Sequence, residues 1–130
     1  MNSYSIVKTV AQEDLDNLNH VNNVVYVHWI QQISKEHWQT VAKEVLEKYI
    51  WVVRRHDITN YGAAKLNDTI LITTNISESK GPISYRQVEF KDNTTEKLLV
   101  KAVTEWCLLD AKTYKPIRVP QTIKNLFAVV

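Results

Sequence analysis

An α+β domain, in which one long helix covers a mainly antiparallel sheet of about five strands, is the fold class this sequence predicts. Two patterns carry that expectation. From Asn22 to Tyr49 no glycine or proline interrupts the chain, and apolar residues recur at helical spacing. From Trp51 to Asp110 the apolar period falls to two, the repeat of a half-buried strand. The chain has 130 residues, 45% apolar and 23% charged, which suits one soluble domain spanning 1–130. A sheet with one apolar face must be covered, and the helix is the available cover.

The elements follow in order. Tyr4 to Val10 alternates weakly and carries β-branched residues, so a first strand is expected there. Ala11 to His20, with two aspartates and two asparagines, reads as a loop. Tyr26, Ile30 and Ile33, then Val41, Val45 and Tyr49, mark the apolar stripe of the helix. Asn22 or Asn23 caps its start, because an Asx side chain accepts from the first free amides. Glu44 and Lys48 make its later half a partly exposed segment. Strands are then expected at Trp51 to Tyr61 and at Thr69 to Ser77, the latter with Ile70, Ile72 and Ile76 on one face. Ser84 to Lys91 alternates less cleanly, and Lys91-Asp92-Asn93 supplies a turn. Lys97 to Asp110 is the strongest strand, with Leu98, Val100, Ala102, Trp106 and Leu108 on one face. Pro116 and Pro120 punctuate its exit, and Gln121 to Phe127 forms a short terminal helix.

Composition removes several functions. With only 2 glycines, Gly62 and Gly81, neither a Walker loop nor a dinucleotide fingerprint can be written. The chain has ten asparagines instead, among them Asn67 in a predicted turn, and asparagine tolerates left-handed backbone better than most residues. One cysteine, Cys107, excludes a disulfide framework and is expected to be buried. No His-Glu-x-x-His or similar cluster occurs, so neither a metal nor a cofactor is expected. His28 and His37 on the helix read as packing or surface residues. Ser5, Ser34 and Ser84 lack a nucleophile-elbow context. Met1 to Val10 lacks a signal-peptide pattern and no apolar run approaches about 18 residues, so a cytoplasmic protein without a membrane span is expected. The net charge of +2 is scattered, and no nucleic-acid footprint is required.

The informative segment runs from Glu13 to Tyr26. It sets three acids and His20 in a polar loop immediately before the helix. A helix start offers unpaired amides and partial positive charge, which polarise a carbonyl as its oxygen gains charge. A carboxylate beside it can attack that carbonyl or activate a water. Acyl transfer therefore has its ingredients. Asp, Asn and His are equally ordinary cap and turn formers, so a purely structural loop is the competing reading.

Asp14-Leu15-Asp16, followed by His20-Val21-Asn22-Asn23 and Tyr26, resembles the signature of hotdog-fold acyl-CoA thioesterases of the 4-hydroxybenzoyl-CoA thioesterase-like family. With Trp29 after the tyrosine, it is also similar to plant acyl-carrier-protein thioesterases. Val52 to Ile58 looks like the second strand of the family, and Ala63 to Asp68 like the turn before its third. The resemblance implies a hotdog fold, a five-stranded antiparallel sheet wrapped around a long central helix, assembled as homodimers or homotetramers with sites at subunit boundaries. It implies hydrolysis of a fatty or aromatic acyl-CoA. Asp16 takes the place of the nucleophile or general base, and His20 that of the assisting histidine. The amide at Asn22 or Asn23 becomes the donor to the thioester carbonyl.

Four further residues are candidate substrate contacts. Tyr26 begins the helix near the site, with packing as its competing role. Arg54 and Arg55, like Lys80 and Arg86, have the charge that meets coenzyme A phosphates, although surface charge explains them equally well. His56 stands beside Asp57 on a predicted strand, where a structural role competes. Leu18 departs from the asparagine of the plant enzymes and disfavours a carrier-protein substrate. Asn19 replaces a glycine common in bacterial members, and Gln31 and Gln32 stand where many relatives carry glutamate. Acyl-carrier-protein hydrolysis and a non-catalytic acyl-binding module are the alternatives.

Overall fold

The computed structural model describes residues 3–128. Strand β1 (Ser3–Thr9) leads through a 3-10 turn at Gln12–Asp14 to helix α1 (Asn23–Val41). Four strands follow, β2 (Tyr49–Asn60), β3 (Thr69–Lys80), β4 (Ile83–Asp92) and β5 (Leu98–Asp110), and then helix α2 (Gln121–Leu126). They form one sheet of order β1-β3-β4-β5-β2 in which every neighbouring pair is antiparallel. Strands β1 and β2 are its two edges, and α1 packs on one face. This is the expected hotdog architecture.

The helix is shorter than its apolar spacing predicts. Val45 and Tyr49 continue the helical stripe, yet α1 stops at Val41 with Ala42 as its C-cap. Tyr49 instead opens β2 opposite Asp110. The run Tyr49-Ile50-Trp51-Val52-Val53 is β-branched and aromatic, and sheet pairing overrides a two-residue continuation of helical period. Strand β3 is longer than expected for a related reason. Its register shifts between Ile76 and Glu78, so the alternation breaks while the pairing continues to Lys80. A second shift, between Val53 and Arg55, makes Arg54 an extra residue in β2.

Local chemistry makes the turns. Gly81, between β3 and β4, has φ +56, a left-handed conformation that glycine adopts without strain. After β4, Asp92 Oδ1 accepts from the amides of Thr94 and Thr95, and Glu96 then takes φ 64. After β5 the device repeats: Asp110 Oδ1 accepts from Lys112 and Thr113, and Tyr114 takes φ 58. Both turns read Asp-x-x-Thr-x-Lys. The amide donations hold both carboxyls below their usual range.

Two apolar clusters lie between α1 and the sheet. The first gathers Tyr26, Trp29, Ile30 and Ile33 of α1 against Ile70, Ile72, Phe90 and Val100. The second joins Leu108, Val119, Ile123 and Phe127, with Trp38, Tyr49 and Trp51 packed against them. Phe127 closes that end by stacking on Trp38 at 5.9 Å and meeting His37 edge-on at 4.9 Å.

Candidate active site

The loop between β1 and α1 is folded by its own acids. Asp14 Oδ2 accepts from the Ala11 amide at 2.9 Å, fixing the 3-10 turn. Leu15 and Val21 then form an isolated antiparallel bridge, which turns residues 16–20 into a tight excursion. Asp16 Oδ1 accepts from the amides of Leu18 (2.9 Å) and His20 (3.2 Å), while its own amide donates to the His20 carbonyl at 2.8 Å. Asn19 takes φ 60 at the corner, a conformation asparagine tolerates. One oxygen of Asp16 is therefore structural. The other, Oδ2, accepts no hydrogen bond from the described residues. The His20 ring is half-buried and likewise unengaged by them.

The segment Ala63 to Asp68 buttresses this loop. Ala64 accepts from the Val21 amide at 3.0 Å, and Val10 donates to Asp68 at 2.9 Å. Asp68 Oδ2 accepts from the Lys65 amide, and Asn67 takes φ 70. The two stretches singled out in the sequence thus meet at one end of the sheet.

Every early amide of α1 except one has a partner. The Asn22 amide donates to the Asp14 carbonyl at 2.9 Å, so it is not open to a ligand. Asn22 is the N-cap, its side chain accepting from Val24 at 3.0 Å, and its carbonyl accepts from Val25. Only Asn23, the first residue of the helix, keeps an unengaged N–H among the described residues. Its position carries the positive end of the helix dipole.

The remaining candidates lie elsewhere. Tyr26, expected as a substrate contact, is only 2% exposed and meets Phe90 edge-on at 5.0 Å. Burial, with the charge of Asp68, pushes its hydroxyl up to about 12, so it stays protonated. Arg54, Arg55 and His56 sit on edge strand β2, across the sheet from β1. The extra residue at Arg54 lets both arginines reach Glu105: Arg54 Nε donates to Oε1 at 2.9 Å, and Arg55 Nη1 lies 3.5 Å from Oε2. His56 Nδ1 meets Thr104 Oγ1 at 3.0 Å, and burial lowers its pKa. Neither hydrogen bond nor ion pair joins this group to Asp16 within the chain. Among the described residues, no three His, Cys, Asp or Glu side chains gather as a metal site, and no helix is long and apolar enough to cross a membrane.

Residues 2–127 match the acyl-ACP thioesterase N-terminal domain. The chain belongs to that family. It is also 28% identical over 131 residues to the acyl-CoA thioesterase YbgC of Haemophilus influenzae, covering 97% of this chain and 95% of that protein. Two solved structures share the fold. Slr0204 of Synechocystis, a 1,4-dihydroxy-2-naphthoyl-CoA thioesterase, superposes with a TM-score of 0.81 at 13% identity, over 96% of this chain and 95% of that one. The SAV2348 protein of Staphylococcus aureus, solved in complex with CoA, gives 0.82 at 14%, over 95% and 80%.

Two residues of this thioesterase domain depart from their expected environment. Arg86, expected as either a coenzyme A phosphate contact or surface charge, is 4% exposed. Its signal was present: in Ser84-Tyr85-Arg86-Gln87-Val88-Glu89-Phe90, strand period places Arg86 on the face of Val88 and Phe90. Cys107, expected to be buried, is only partly buried, on the outer face of β5. His37, by contrast, is a packing residue with no exposure.

Proposed function

We propose that this chain hydrolyses acyl-CoA thioesters of fatty or aromatic acids, acting as a single cytoplasmic domain. The observation that carries the proposal is the unengaged Asn23 amide at the start of α1, reached from a loop whose Asp16 keeps one carboxylate oxygen free. In this reading the Asn23 N–H donates to the thioester carbonyl oxygen, where negative charge develops. Asp16 Oδ2 either attacks the carbonyl carbon or takes a proton from the water that does. Collapse of the tetrahedral intermediate breaks the C–S bond and the thiolate leaves. On the water route it takes the proton that Asp16 accepted. On the covalent route a water then hydrolyses the Asp16 mixed anhydride, releasing the acid and supplying the proton to the thiolate, with His20 assisting. Asn22 contributes as the cap that fixes the helix start. The CoA reading draws support from the YbgC relative and from the CoA complex of SAV2348.

The same proposal includes a homodimer or homotetramer. Strand β2 is a 12-residue edge bonded only to β5, with Val52 40% exposed. A long edge of that kind favours pairing with a second copy. Pairing there would bring Arg54, Arg55 and His56 to a subunit boundary, where the arginines suit CoA phosphates. A monomer by light scattering at micromolar concentration would contradict this part.

Thiol release from acyl-CoAs of graded length, with Asp16→Asn as control, tests the activity. Release by wild type and its loss in Asp16→Asn are expected. Equal turnover by both removes the role of Asp16. Turnover only on acyl-carrier protein selects the substrate named by the family, and binding without hydrolysis selects a non-catalytic acyl-binding module.

A further inference from the structure

Well away from the Asp16 loop, a cavity of about 210 Å³ opens between the C-terminal half of α1 and the inner faces of β2 to β5. Ser34, on its wall, lies eleven residues beyond Asn23, roughly 16 Å along the helix at about 1.5 Å per residue. The packed rings of Tyr26, Trp29 and Phe90 belong to the cluster at the other end of the helix. Trp38, Trp51 and Trp106 wall the cavity, Arg86 lines it, and exposed Lys35 adds a second positive charge. None of its lining residues among the described ones is acidic.

Arg86 defines the chemistry. Its Nη1 lies 2.8 Å from His37 Nδ1 and donates to Thr74 Oγ1 at 3.1 Å. No carboxylate among the described residues lies within ion-pair distance of it. Its Nε and Nη2 donate to none of the described residues. A guanidinium buried without an opposite charge is costly, and burial pushes it down to about 9. The indole Nε1 of Trp106 is a second anomaly: it is buried and has no hydrogen-bond partner. That N–H has almost no water-accessible surface, whereas the unspent donors of Arg86 belong to a side chain lining the cavity and call for an acceptor from outside.

We propose that this cavity binds a small aryl carboxylate, with Arg86 as its anion anchor. The planar guanidinium matches a carboxylate through two parallel hydrogen bonds. Indole walls suit a flat ring. Size agrees, since an apolar cavity of about 150 Å³ admits benzene, and the remaining space accommodates a carboxylate arm. The site is independent of the hydrolytic reading, although thioester hydrolysis releases the same class of anion.

Tryptophan fluorescence of the full chain, titrated with 3-phenylpropionate, 3-phenylpropionamide and acetate, tests it. The phenylpropionate ion is expected to bind at least tenfold tighter than its amide or acetate. Arg86→Met should erase the preference over the amide. If Arg86→Met does not fold, Arg86→Lys keeps the positive charge, removes the planar fork, and should weaken phenylpropionate at least threefold. Asp16→Asn should bind phenylpropionate as wild type does. Equal affinity for acid and amide overturns the proposal, as does failure of phenylpropionate to bind at millimolar concentration. Phenylpropionate binding that survives unchanged in Arg86→Lys, or that is lost in Asp16→Asn, overturns it too.

Discussion

The two ends of α1 solve opposite problems. At its N-terminus the chain is polar, and almost every amide is satisfied within a few residues by Asp14, Asp16 and Asn22. What remains open there is a carboxylate oxygen and one backbone N–H. Along its C-terminal half the surroundings are aromatic, and the charged group, Arg86, is held by residues 49 and 12 positions away in sequence. The first end is built by short-range hydrogen bonding, the second by long-range packing. Loss of one group should therefore affect chemistry at the first end and stability at the second.

Asp16→Asn should produce the largest change, a fall in hydrolysis of roughly 100- to 10,000-fold, the range for a lost acid–base group. Asparagine still offers Oδ1 to Leu18 and His20, so the thermal midpoint should stay near wild type. A large drop in that midpoint would make Asp16 a structural residue and erase the contrast. Phe127→Ala comes next, at the other end. It removes a fully buried ring between Trp38 and His37, and urea unfolding should register a loss of about 3–5 kcal/mol. Asn22→Ala should cost about 1 kcal/mol of stability through the lost cap. It should lower turnover as well, because the Asn23 amide loses its fixed position; unchanged turnover would separate the cap from the site.

The smallest effect belongs to His56. Its folded pKa lies below the ordinary 6.5 because burial disfavours the charged ring. Between the two values the unfolded chain binds more protons, so stability is full above the unfolded pKa and is lost as pH falls through the folded one. Urea midpoints of wild type should therefore drop slightly more than those of His56→Gln between about pH 7.5 and about pH 5.5. Equal drops would show that His56 contributes nothing.

Legibility in the sequence follows the same division. The loop acids, the Asn22 cap and the asparagine turns act over two to four residues, so residue type and spacing suffice to find them. Strands β3 to β5 were readable because burial on one face imposes a period of two. The end of α1 was not readable, since Val45 and Tyr49 fit helix and strand alike until a partner strand decides. A turn is legible at Lys91-Asp92-Asn93, but the positive φ at Glu96 and at Tyr114 is not, because neither residue advertises it; the preceding Asp and Thr impose it. Arg86 escaped for a different reason. Charge suggests the surface, and only its phase in β4 contradicts that.

The extra residue at Arg54 carries a last consequence. Below it, Tyr49 and Trp51 pack against the second cluster; above it, Ile58 packs against the first. Odd-numbered positions thus serve one core and an even-numbered position the other, and the single-residue slip in β2 is what reconciles them. Deleting Arg54 would therefore leave Trp51 and Ile58 an even number of residues apart, and a regular strand would still turn both inward. What such a deletion removes is the kink that lets two consecutive arginines reach the same carboxylate, Glu105. The added length at this point serves side-chain placement on the outer face, and the core on the inner face is indifferent to its loss.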